Sequence, residues 1–388
     1  MSPTRSSALD HAYGKGTPFA LLVEEEAMLL DPETFDLAQR VDSVLAAADG
    51  DLAAHVADDL MQSSIGLVTS PCATASDLAR ELHRIRAGLA AVARERDLRL
   101  GTAGTHPFSL FERQRISTRD RYRSMVDQLQ YIARRELVFG LHIHVAIATP
   151  DLAVQVADGL AVELPALLAL SASSPFWRGD LTGLASSRRM VVASLPRSGA
   201  MPRFADYAEY AEVVGQLERS GCIADPTQIW WDVRPNPKLG TVEVRVCDAV
   251  TSADDAVAIA AYCQAAARSV ADRIERGSDV PSFHRVLTGE NLWLAARHGL
   301  EAPVLDLVAG RRNRVPIAQL IRRSLRDLEG HARELGSERE LDGVRAILAS
   351  GNGADRQARV YNANRDVFEV AREIADETEA AASPGGDA

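Results

Sequence analysis

Three pairs of titratable residues stand two positions apart in the sequence: Glu24 with Glu26, His142 with His144, and Glu243 with Arg245. In an extended strand, residues i and i+2 project from the same face, so each pair presents its side chains together. Carboxylates with an imidazole are a ligand set for Mg²⁺ or Mn²⁺, hard ions that prefer oxygen. An arginine beside them suits an anionic phosphate or carboxylate. Gathered in one bowl, these groups would bind nucleotide phosphates through metal ions. A half-buried strand with its polar face in water shows the same pattern, and spacing alone does not make three strands neighbours.

The residues around each pair supply the strands. Phe19–Leu30 puts Glu24, Glu26 and Met28 on one face. Leu137–Ala148 sets Leu141, Ile143, Val145 and Ile147 against His142, His144 and Ala146, and Thr241–Asp248 sets three valines against Thr241, Glu243, Arg245 and Cys247. Met61–Ser70 alternates more weakly. Helical patterns lie between them. One opens with a capping box at Thr74–Asp77 and runs to about Arg96. Others are expected near 121–136, 151–172, 204–219, 252–276, 316–335, 339–349 and 355–380. This order predicts an α+β or mixed sheet with helices stacked on one side. Neither a P-loop nor a Rossmann glycine fingerprint occurs, so neither phosphate cradle is available.

Three loops add cues. Gly101–Phe108 carries small residues that allow close backbone approach to a ligand, or simply a turn closed by His106 and Pro107. Ser186–Arg189 is a local basic spot, and Trp230–Trp231 is either a stacking platform or a buried aromatic pair.

The chain has 388 residues, 46% hydrophobic and 25% charged, enough for a core of useful size. A net charge of -11 argues against a protein built mainly to hold nucleic acid. Four cysteines without a C-x-x-C pair indicate neither a zinc knuckle nor a disulfide scaffold and fit a reduced cytoplasm. No run approaches the roughly 18 apolar residues of a membrane span. The expected layout is a flexible arm over 1–18, a single catalytic domain over 19–377 and a disordered tail over 378–388.

Five segments in order carry a resemblance: Val23–Glu26, Gly104–Phe108, Gly140–Val145, Ala185–Arg188, and Trp231–Pro235 running into Gly240–Val246. Together they resemble the glutamate–cysteine ligase type 2 family of carboxylate–amine ligases, over roughly residues 19 to 375. The resemblance implies a glutamine-synthetase-like antiparallel sheet curved into a funnel, with helices on its outer face, a helical C-terminal third, and ATP with Mg²⁺ or Mn²⁺ on the concave face. It implies that ATP phosphorylates a small-molecule carboxylate and that an amine then displaces phosphate to give an amide. By position, Glu24, Glu26, His142 and Glu243 become metal ligands and His144 a phosphate contact. Thr105, His106 and Arg234 join the nucleotide contacts, while Arg245 and Arg188 neutralise charge on phosphate or the substrate carboxylate. A cytoplasmic homodimer is expected, with no nucleic acid or membrane partner.

Two positions depart from the pattern. Gly66 stands where the family usually has a glutamate, and Ala146 where a glycine usually follows the histidine motif. A missing carboxylate lowers the negative charge that holds a second cation. The alternative is therefore a diverged homologue with lost or altered ATP chemistry: a binding or regulatory protein, or a metal-dependent amide hydrolase.

Overall fold

A computed structural model describes residues 10–310 and 313–380. Its frame is a seven-stranded sheet whose mapped pairings are all antiparallel. The strands are β1 (Leu21–Leu30), β2 (Val56–Asp58), β3 (Ser64–Val68), β4 (Arg99–Gly101), β5 (Gly140–Ala146), β6 (Val233–Asn236) and β7 (Thr241–Asp248). They run in the order β6-β7-β5-β1-β3-β2, with β4 beside the far end of β1. The long β1 is central: Glu24–Met28 pair with β3, Leu21–Glu25 with β5, and Met28–Leu30 with β4.

Alternation decides what each face does. Leu21 and Val23 of β1, Leu141, Ile143 and Val145 of β5, and Val242, Val244 and Val246 of β7 enter one large apolar cluster with the helices. Burying branched aliphatics on one face forces their polar alternates onto the other. One departure comes from a bulge in β7, where the register against β5 shifts between Val244 and Cys247. The bulge turns Cys247 into the core, instead of onto the polar face with Glu243.

Helices cover the apolar face. α1 (Ala75–Arg94) starts at Thr74, whose hydroxyl accepts from the Asp77 amide in the expected capping box. Residues expected as one helix over 151–172 form α2 (Pro150–Leu160) and α3 (Leu164–Ser171), bent by 66°. Pro165 opens α3, where its missing N–H costs nothing. The alanine-rich α4 (Ala253–Glu275) is buried along most of its length and packs against α1, α2 and the helices Ile317–Glu334 and Glu338–Ser350. The helix expected over 121–136 breaks at Gln130, and the one over 355–380 breaks near Arg365; both residues have positive φ. Arg285–His298, inside the C-terminal third expected to be helical, is a helix as well.

Across the buried side of β1, Arg86 of α1 grips Glu25 with two hydrogen bonds of 2.9 and 2.7 Å and also donates to the carbonyls of Thr251 and Val250. Both side chains are fully buried. This clamp fixes the rotation of β1, so Glu24 and Glu26 on either side of Glu25 must face the other way.

The expectation of a loose arm over 1–18 needs correction. Residues 1–9 lie outside the described residues, but residues 10–18 are docked. The Ala12 amide donates to Pro237 O at 2.9 Å, Gly14 donates to Ile147 O at 3.2 Å, and Tyr13 stacks edge-on against Tyr207. Gly240, at φ 69°, lets this segment cross the β6–β7 turn: a Cβ there would fall 2.5 Å from the Ala12 carbonyl. At the other end Thr378 is buried in a helix ending at Ala380 and bonds to Thr102, so residues 378–380 of the expected tail are ordered instead. Residues 381–388 lie outside the described residues.

Candidate active site

The polar face of β1, β5 and β7 gathers the charged pairs. In the strand register Glu24 lies opposite His142, His144 opposite Glu243, and Glu243 opposite Arg234 of β6. On the other edge of β1, Glu26 lies opposite Gly66. Directly opposed residues have Cβ atoms about 5 Å apart, so these side chains form one continuous strip.

Within the strip, acids and arginines interleave. Arg234 holds Glu243 with two parallel hydrogen bonds of 2.9 and 3.1 Å, Asn236 donates a third at 2.9 Å, and Arg245 donates a fourth. Burial alone would raise the Glu243 pKa; the charges of Arg234 and Arg245 outweigh it and hold the carboxylate well below its ordinary range. Four bonds fill the roughly four acceptor positions of a carboxylate. Glu243 would therefore have to release a donor, most simply Arg245, before meeting a cation. Arg234, buried, directs its remaining nitrogen to the carbonyls of Pro226, Thr227 and Ile229. It is committed to holding Glu243 and that loop.

The histidines are the complement. Burial and then the Arg245 charge lower the His142 pKa to about 4, so its imidazole is neutral at pH 7. Its Nδ1 lies 3.7 Å from Glu24, and its Nε2 is buried without a partner. His144 shares Nδ1 with the Thr241 hydroxyl at 3.0 Å, and its Nε2 is likewise unpartnered, 3.7 Å from Glu24. Burial works against ionising Glu24, but the two histidines outweigh it and lower its pKa. Glu26 differs: burial, then the charge of Asp59, raise its pKa to about 8. One oxygen of Glu26 accepts the Gly140 amide at 2.6 Å.

Arg188 reaches this strip from the short helix Ser187–Val192 and is buried, donating to the Arg245 and Val246 carbonyls. Gly140 makes room for it: a Cβ would overlap the Arg188 guanidinium and stand 2.9 Å from His142 Nε2. Behind Arg188, Asp248 binds Ser174, Ser186 and the Ser173 amide, tying three segments together. Arg189 turns away to Asp232 at 3.0 Å.

The loop at 101–108 stands apart from this strip. Thr105 donates to Phe176 O at 2.7 Å. His106 sits between Phe35 O at 2.8 Å and the Ser109 amide at 3.0 Å, with burial pushing its pKa down to about 4. Gly104 is small because of Asp248, whose carboxylate would lie 2.6 Å from a Cβ. These polar atoms are occupied within the protein, so Thr105 and His106 are not among the groups the strip brings together. Trp231 is buried against Phe204 and Tyr210, the aromatic-pair alternative, while Arg197 lies over Trp230. Asp59 and Asn236 are the residues that sequence reasoning missed. Asn236 stands two residues from Arg234 on β6, so the same alternation could have found it, whereas Asp59 has no such partner and acts on Glu26 from a segment distant in sequence.

Among the described residues, no three carboxylate, imidazole or thiol groups are yet close enough to hold an ion. The donor set nevertheless fits a hard divalent cation: two buried imidazole nitrogens have no partner, and Glu26 keeps its proton beside Asp59.

The sequence matches the model of glutamate–cysteine ligase family 2 over residues 22–380. Two Rubrobacter xylanophilus proteins, "Putative glutamate--cysteine ligase 2-3" and "2-1", are 40% and 39% identical to it. The alignments cover 95% and 91% of this chain and 100% and 93% of theirs. A glutamate–cysteine ligase from Francisella tularensis, solved in complex with AMP, superposes with a TM-score of 0.67 at 12% identity, covering 94% of this chain and 90% of that one. A bifunctional glutathione synthetase from Pasteurella multocida gives 0.69 at 16% identity, covering 94% of this chain and 52% of that one. At those identities the likeness is one of fold, and it agrees with the expected α+β, glutamine-synthetase-like architecture. The family match spans nearly the whole sheet and its helices, and on that ground the chain belongs to glutamate–cysteine ligase family 2.

Proposed function

We propose that this protein is an ATP-dependent carboxylate–amine ligase. The observation that carries the reading is the strip itself: acids, neutral imidazoles and arginines from three adjacent strands, on one face. Phosphoryl transfer depends mainly on positioning and charge neutralisation, which such a strip supplies. The names of the relatives, and AMP in the Francisella enzyme, support the same reading.

In this proposal Glu24, Glu26 and His142 hold a divalent cation, with Glu243 joining once Arg245 lets go. A bound cation neutralises phosphate charge. His144, with its unpartnered Nε2, faces a phosphate oxygen. Arg245 and Arg188 face the transferring phosphoryl group or the substrate carboxylate. The substrate carboxylate oxygen bonds to the γ-phosphorus as the bond to ADP breaks. The amine nitrogen then bonds to the acyl carbon as inorganic phosphate leaves, and the amine gives up a proton.

A second reading rests on one observation. Gly66 faces Glu26 directly, so the strip lacks a carboxylate there. That favours a diverged binding protein or an amide hydrolase. A coupled ADP assay with Mg²⁺-ATP separates the two. The ligase reading expects sustained ADP turnover only when a carboxylate (glutamate first) and an amine (cysteine first) are both present. ATP binding without ADP release across a panel of acids and amines would favour the second.

A further inference from the structure

The chain contains two lysines, Lys15 and Lys238, against 41 arginines. Nearly everywhere it needs a cation it uses arginine, yet both lysines line the same cavity of about 760 Å³. That volume lies within the roughly 300–1,000 Å³ of small-molecule sites. The lysines come from two segments bonded to each other: Lys15 from the docked, turn-rich stretch that holds Ala12 on Pro237, and Lys238 from the β6–β7 turn.

Arg121 and Arg234 share the lining, against two acids, Asp10 and Asp225. Arg234 is already neutralised by Glu243, and Asp225 accepts from the Thr227 amide and hydroxyl. Among the described residues neither lysine makes an ion pair. With Arg234 paired to Glu243, three cations face the two carboxylates, a positive excess in the lining of a protein whose net charge is -11.

Its floor joins the strip. Asn236 and Arg234 line the cavity and both bond to Glu243. A ligand lying in it reaches the acid strip without crossing any other element of the sheet. An ammonium group is a compact point charge with three rotatable donors, suited to phosphate oxygens whose positions shift during transfer.

The geometry points to this cavity as the pocket for the phosphate chain of the nucleotide, with Lys15 and Lys238 as its contacting cations. The assignment rests on the ATP-dependent reading above. The two lysines also supply the test. Reductive methylation of the full-length protein with ¹³C-formaldehyde keeps each charge and gives two ε-dimethyl signals apart from that of the terminal amine; Lys15→Ala and Lys238→Ala assign them.

Both signals are expected to move with Mg²⁺-ATP and with inorganic tripolyphosphate, and neither with adenosine. Each alanine variant is expected to raise the ATP Kd by about tenfold, the loss of one charge-assisted contact. ATP binding seen by calorimetry while both signals stay still would overturn the pocket and leave the ligase reading intact. Movement with glutamate but not tripolyphosphate would also overturn it, by making this a carboxylate pocket. Movement with tripolyphosphate in a protein that forms no ADP with any acid and amine would uphold the pocket and remove the ligase.

Discussion

Gly66→Glu tests whether the face opposite Glu26 is a cation site. A Cβ at position 66 meets nothing closer than the Ala57 carbonyl oxygen at 3.7 Å, so the side chain enters without backbone strain. Its carboxylate lands beside Glu26, across an antiparallel pair. Two unit charges about 5 Å apart at an effective dielectric near 20 repel by roughly 3 kcal/mol. Glu26, with a pKa near 8, carries its proton at neutral pH, so much of that repulsion is absent at pH 7. Because this folded-state pKa is raised, Glu26 already costs stability as pH climbs from its unfolded value to about 8, and the variant enlarges the loss. At about 2 °C per kcal/mol for a large domain, the variant's Tm should fall by ~6 °C at pH 9 in chelator and by less at pH 7. Mg²⁺ should restore most of the loss, and a matched concentration of KCl should not. The measurement is a set of thermal melts of both proteins at two pH values, with and without Mg²⁺. A Tm deficit independent of pH and Mg²⁺ would refute the reasoning, because it would be steric in origin.

Three further outcomes are expected. Gly140→Ala should cut ADP formation by more than tenfold with little change in secondary structure, since its methyl group displaces Arg188 and His142; normal turnover would remove both residues from the site. Arg86→Met alone should destabilise by about 3–5 kcal/mol, whereas Glu25→Leu with Arg86→Met should recover most of it, because the cost is that of an uncompensated buried charge; denaturant unfolding of both variants measures this. His106 has its folded-state pKa lowered from 6.5 to about 4, so its contribution is fully present above pH 6.5 and is lost as pH falls toward 4. That difference is worth about 3 kcal/mol, and His106→Gln should flatten this part of the stability–pH curve.

The period-two alternation of Leu137–Ala148 and Thr241–Asp248 was enough to read those strands, because burying one face leaves the alternation in the sequence itself. Helix existence was equally readable, but the breaks at Gln130 and near Arg365 were not: both need positive φ at residues that do not announce it. The bulge that turns Cys247 inward depends on a partner strand a hundred residues away. At the site, the i, i+2 pairs gave the right faces. What they could not give was pairing: Arg234 and Arg245 saturating Glu243, Asp59 pressing on Glu26, and the occupation of Thr105 and His106 by carbonyls of distant loops. Apart from Arg245, which stands two residues from Glu243 on the same strand, each is a contact between segments that only the fold brings together.

The docking of residues 10–18 onto the β6–β7 turn bears on the order in which the molecule comes together. The surface that receives these residues exists only once the strands of the sheet lie side by side, so the docking follows sheet assembly. The sheet, whose neighbouring strands are pinned by the apolar cluster, can assemble first, with its acids and histidines already aligned. Lys15 joins Lys238 in the lining of the cavity only when the earlier segment folds back across Gly240, which adds a second cation to that wall. An anion in the cavity offsets that added charge, so the ligand itself would favour the final closure. The same reasoning makes this wall of the cavity the first part to open under mild denaturation, while the strip behind it persists.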